Sequence, residues 1–138
     1  MREILFRGKV ASEVLSGNEK KDGVWVYGFY SPAIWYPSLE QRPSIKTFSG
    51  SDIEIDPNTL GQYTGLKDVN GTKIFESDIV LVSGVAKAKI IWNAEDACFA
   101  FDYGADGRPL MLDFVNDTSI EVIGNIHDNP ELLKGVQE

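Results

Sequence analysis

The sequence predicts a mostly-β protein, and three observations carry that prediction: a dense aromatic and β-branched run at Val24–Tyr30, an Asn70-Gly71 hairpin signal, and clean apolar/polar alternation from Val85 to Trp92. The architecture expected from them is an N-terminal β segment with an aromatic, Pro-rich loop or arm over residues 1–59. A small SH3-like β-barrel with a short C-terminal helix follows over residues 60–138, and the two parts are compatible with one compact unit.

Taken in order, Ile4 to Val10 reads as a first strand, and the polar stretch from Glu13 to Gly23 as a connection ending in an Asp-Gly turn. Val24 to Tyr30 places Trp25, Tyr27 and Phe29 on one face and Val24, Val26 and Tyr30 on the other. An antiparallel strand with one wet face would alternate apolar and polar residues. This one does not, so a second layer or a second subunit is expected over its other face. Residues 31–43 contain Pro32, Pro37 and Pro43, with Ala33-Ile34-Trp35-Tyr36 between the first two. Prolines at that density argue against a central strand or a helix interior and for an ordered loop or arm. Ser51 to Asp56 alternates again before Pro57.

From Leu60 onward the pattern is steadily β. Ile79–Val82, Val85–Trp92, the Ala97/Phe99/Phe101/Tyr103 face, the Leu110/Leu112/Phe114 set and the Ile120/Val122/Ile126 set give five short strands of barrel size. Ala86, Ala88, Ile90 and Trp92 should face in, with Lys87 and Lys89 facing out. Asn129-Pro130 combines an N-cap residue with Pro at the first helical position, a start for a helix of a turn or two.

A chain of 138 residues can bury roughly two thirds of its unfolded surface, so it needs no staple. Cys98 is the single cysteine, which excludes an internal disulfide and a multi-thiolate zinc site; its apolar setting predicts a buried, inert thiol. No stretch reaches the ~20 apolar residues of a membrane span, and the charged start Met1-Arg2-Glu3 does not fit a signal peptide, so the cytoplasm is the expected compartment. The net charge of -8 falls entirely in the second half: residues 1–67 hold eight basic and eight acidic residues, residues 68–138 five and thirteen. Direct nucleic-acid binding by that acidic half is disfavoured, because such binding begins with phosphate neutralisation.

Several stretches resemble the YopX-like family of phage and prophage proteins. Met1-Arg2-Glu3-Ile4 with Phe6-Arg7 and Trp25-Val26-Tyr27-Gly28 are similar to its opening. Gly61-Gln62-Tyr63-Thr64-Gly65-Leu66-Lys67-Asp68, with Asn70-Gly71 and Asp78-Ile79-Val80, is similar to its most distinctive run. Ile120–Ile126 with Asn129-Pro130-Glu131-Leu132-Leu133 resembles its ending. Ser77 departs from the pattern, standing where the family usually has glycine; if that glycine serves a positive φ, serine there is mildly strained, and the favoured alternative is a turn that tolerates either residue. The resemblance implies a phage- or prophage-encoded accessory protein in the bacterial cytoplasm. It supplies no activity, cofactor or catalytic residue.

Constellations that could carry chemistry are sparse. Asp52, Glu54 and Asp56 alternate onto one strand face, a pattern that could hold Mg²⁺ for a hydrolase or nuclease. The same pattern suits an edge strand whose acidic face is solvated and deters edge pairing. Cys98 with His127, the single histidine, is the only thiol–imidazole candidate, and neither sits in a local catalytic signature. Asp102, Asp106, Gly107 and Asp113 echo a calcium loop, but Gly104 stands where a ligand is needed. No glycine-rich phosphate cradle occurs. No cofactor is implied.

The expected function is therefore a non-catalytic protein-binding or assembly module, homo-oligomeric, with Trp25, Tyr27, Ile34, Trp35 and Tyr36 as the interface residues. Two alternatives are an acidic mimic occupying a host nucleic-acid-binding protein, motivated by the charge of the second half, and a metal-dependent hydrolase using the clustered carboxylates.

Overall fold

The computed structural model describes residues 3–11, 24–31, 33–35, 40–104, 110–111 and 119–133. It divides the chain into two units, Met1–Tyr63 and Thr64–Glu138. Both are antiparallel β-structure, as the sequence predicts.

In the first unit, β1 (Phe6–Lys9) pairs with β2 (Trp25–Tyr30), β2 with β5 (Ser44–Lys46), and β5 with β6 (Asp52–Glu54). The far side of β1 pairs with the start of β7 (Gly61–Lys67), through Phe6↔Gln62 and Arg7↔Gly61. Val10, Ile45 and Ile55, each no more than 2% exposed, centre the core, with Leu5, Ala11 and Tyr63 around them. Gly8 permits that packing: a Cβ there would stand 2.5 Å from Ile55 Cδ1. Thr59, in the 3-10 turn Pro57–Thr59, accepts from Lys9 N at 2.8 Å and donates to the Asp56 carbonyl at 2.6 Å.

Residues 31–43 were expected to form a loop or arm. The structure instead contains a small hairpin there, β3 (Ala33–Trp35) paired with β4 (Glu40–Arg42). It forms because Pro43 falls between strands, where no ladder donor is missing. The hairpin is a two-stranded sheet of its own, so the prediction that this stretch joins no central strand stands.

In the second unit, β7 is followed by β8 (Lys73–Phe75), β9 (Asp78–Val82), β10 (Ala86–Asn93), β11 (Cys98–Asp102), β12 (Leu110–Met111) and β13 (Ile120–Asn125). Five of these form a sheet in the order β12-β11-β10-β9-β13. Ile74, Val80, Val82, Ala88, Ile90, Phe101 and Ile120 make one core cluster, with Phe99, Tyr103 and Val122 packed against it. The inward alternation predicted for Ala88 and Ile90 is observed. Trp92 departs from it and is 48% exposed. β9 pairs with β10 only from Ala86 to Lys89, so Trp92 projects past that neighbour and rests edge-on against Phe99, with ring centroids 5.1 Å apart. Among the described residues the sheet ends at β12 and β13 and does not close into a barrel. The predicted C-terminal helix is, among the described residues, a single 3-10 turn at Pro130–Leu133. No helix of the described residues is long and apolar enough to cross a membrane.

Candidate functional site

Residues directly opposite one another on antiparallel strands share a sheet face. The register therefore puts Lys9 and Trp25, Arg7 and Tyr27, and Phe29, Lys46 and Asp52 on one face of the first unit. At the Trp25 end this face is covered by its own side chains. The Arg7 guanidinium carbon lies 4.4 Å from the Trp25 ring centre and Lys9 Nζ 5.6 Å from it, both within cation–π range. Arg7 is buried there and Trp25 half-buried. The other end is open: Tyr27 is 43%, Phe29 50% and Phe48 71% exposed. Phe29 and Phe48 meet edge to face with centroids 5.7 Å apart.

Phe48 sits at the tip of the β5–β6 hairpin, in a turn held by many hydrogen bonds. Thr47 N donates to the Ser51 carbonyl and Gly50 N to the Thr47 carbonyl, both at 2.9 Å. The Thr47 hydroxyl lies 2.9 Å from that of Ser49 and accepts from Ser51 N at 3.3 Å. Gly50 has φ +93°, the left-handed conformation that closes the turn. A large ring is thus presented to solvent on a rigid support, an arrangement that reduces the entropy lost when a ring is buried at an interface. Phe48 was missed in the sequence. Its signal is a lone aromatic among turn formers, Thr47-Phe48-Ser49-Gly50-Ser51.

The other predicted interface residues are placed as follows. Ile34 and Trp35 lie on β3, and Tyr36 lies outside the described residues. The second face of β2 also remains partly open, with Tyr30 39% exposed and tilted against Phe6 at 6.4 Å.

The three alternating carboxylates each have a separate local task. Asp52 pairs with Lys46 at 3.1 Å, Glu54 with Arg42 at 3.2 Å, and Asp56 accepts from Asn58 N at 3.0 Å to cap the following turn. β6 is an edge strand, as the alternative reading of this segment has it. Among the described residues no group of three or more His, Cys, Asp or Glu side chains could hold a metal ion. Cys98 opens β11 and is half-buried, whereas His127 lies in the turn after β13, with β10 and β9 between the two strands. Of the calcium-like residues, Asp102 accepts from Gly104 N at 2.9 Å and lies 3.8 Å from Lys89 Nζ; Asp106, Gly107 and Asp113 lie outside the described residues.

The residues that resemble the family build turns and joints. Asp68 Oδ1 accepts from Asn70 N at 2.9 Å and Thr72 N at 2.8 Å, and its Oδ2 accepts from Val122 N at 2.9 Å. Burial alone would raise its pKa; the backbone donors of Val122, Thr72 and Asn70, with the Thr72 side chain, outweigh that and hold it below the ordinary value. Ser77 does adopt positive φ, +77°, while its N–H donates to Ile90 and its carbonyl accepts from Ile126. Buried Asp78 accepts from Phe75 N at 2.7 Å. Asn125 Oδ1 accepts from His127 N and Asp128 N, at 3.0 and 2.9 Å, and its amide donates to Asp128 at 3.1 Å. A Cβ on Gly124 would stand 2.6 Å from Asn129 Oδ1.

Comparison with known proteins agrees with this picture of a shared scaffold. The crystal structure of protein EF1440 from Enterococcus faecalis is similar over 96% of this chain and 99% of that one, with 26% identity and a TM-score of 0.54. No curated protein matches. The model of the YopX protein family matches residues 31–134, a span that includes the Asp68 turn, the Ser77 joint and the Asn125 turn but not the family-like opening. The chain belongs to the YopX protein family.

Proposed function

We propose that this protein is a non-catalytic binding or assembly module, a phage- or prophage-encoded accessory protein acting in the bacterial cytoplasm. The observation that carries the reading is the open aromatic end of the first unit's sheet, where Phe29 and Phe48 hold each other in solvent beside Tyr27. Aromatic side chains spent outside a core and fixed in place are the usual anchors of protein interfaces. The β3–β4 hairpin carrying Ile34 and Trp35, with Tyr36 next in sequence, extends the set of contact residues, together with Trp25. The second unit supplies the scaffold, a five-stranded antiparallel sheet of SH3-like size finished by the turn at Pro130–Leu133.

A photo-crosslinking residue at Phe48, compared with the same residue at Val85, which is 85% exposed, tests the reading in bacterial cells. Discrete adducts are expected from position 48 and not from position 85. Equal labelling at both sites, or none at position 48, would remove the support for a dedicated binding face.

A further inference from the structure

We propose that the occupant of the open aromatic face is a second copy of this chain, docked face to face about a two-fold axis; this rests on the binding reading above. The charges in the patch choose among occupants. A two-fold interface uses the same surface twice, so every charge in it must meet its opposite within the same patch. Phe29, Lys46 and Asp52 form one cross-strand row on β2, β5 and β6. The two charged side chains are 47% and 36% exposed, so each retains surface for an outside contact in addition to their mutual 3.1 Å pair. A partner of a single sign would gain from one of them and be repelled by the other. A two-fold mate meets both favourably, Lys46 against the mate's Asp52 and Asp52 against the mate's Lys46, with Phe29 and Phe48 packed between.

Docking through the face, and not by adding strands at the edge, also fits β6. That edge strand carries Asp52 and Glu54, which would confront the same acids on an approaching identical strand.

The test is a charge exchange read by sedimentation equilibrium, with circular dichroism and thermal melts confirming the fold of each variant. Wild-type protein is expected to dimerise. Lys46→Asp and Asp52→Lys are each expected to weaken self-association on the order of tenfold or more, because each places like charges together twice. Mixed in equal amounts, the two variants are expected to associate with one another again, since every contact is then between opposite signs. Phe48→Ser is expected to weaken the dimer while leaving the melt unchanged at dilutions where the wild type is also monomeric.

A wild-type monomer at all accessible concentrations overturns the proposal, as does a mixture that stays monomeric. If position-48 crosslinks then fall on a different protein, or on nucleic acid, the second-copy assignment is lost while the face remains a binding site. An absence of crosslinks removes both.

Discussion

In the second unit, Asp68, Ser77 and Asn125 each complete a backbone arrangement, and Gly124 leaves room for one. In the first unit, Phe29 and Phe48 touch each other on an open sheet face. The contrast separates two kinds of information. The residues resembling the family that the structure explains are spent on turns and joints, so family membership reports a fold. Phe29 and Phe48, the centre of the proposed binding face, lie outside those motifs, whereas Tyr27 beside them lies within the family-like opening.

The contrast can be broken by mutation. The largest effect is expected at Asp68. Asp68→Ala strands three backbone donors, those of Asn70, Thr72 and Val122, and is expected to cost about 3 kcal/mol in urea denaturation. Its pH dependence follows from the lowered pKa. The carboxylate is ionised more readily folded than unfolded, so its contribution is present above the unfolded value near 3.8 and is lost as pH falls through the lower folded value. Asp68→Asn should flatten the stability profile in that acid window; an unchanged profile would place the titration elsewhere.

Gly124→Ala is next, at about 1–2 kcal/mol, because the added methyl must displace the Asn129 side chain that accepts from Asn125 N at 3.3 Å. Ser77→Gly should stabilise. Left-handed backbone costs a residue with a Cβ roughly 1–2 kcal/mol, while glycine's extra unfolded-state entropy returns roughly 0.5–1, leaving a net gain of about 0.5–1 kcal/mol visible as a raised Tm. A lowered Tm would mean that the serine side chain has a task outweighing the strain. Smallest of all, Phe48→Ser should change stability by no more than about 0.5 kcal/mol, since the ring is 71% exposed. A loss of 2 kcal/mol there would show the ring to be a structural element and erase the contrast between the units.

Much of the fold was legible because strands announce themselves by period. Lys87 to Ile90 reads correctly from the sequence: Ala88 and Ile90 are buried while Lys87 and Lys89 stay partly exposed. Trp92 does not, since alternation says which face a residue takes and says nothing of where the neighbouring strand ends. The hairpin at β3–β4 was hidden because proline density was read over the whole segment, when the position of each proline relative to the ladder decides. The positive φ of Ser77 was only hinted at, as a departure from a glycine pattern that a tolerant turn would equally explain. The aromatic site was half legible: Tyr27 came from the β2 pattern, whereas Phe48 joins it through a hairpin register that composition does not encode.

The bond from Asp68 to Val122 spans 54 residues. A nascent second unit can form the turn at Asn70-Gly71 early, but the carboxylate that organises it gains its third donor only when the chain has been made through β13. Closing so long a loop is entropically slow, and contacts of this kind are rewarded only after that closure. A chain ending before Val122 would thus leave the Asp68 carboxylate with two of its three backbone donors, those of Asn70 and Thr72.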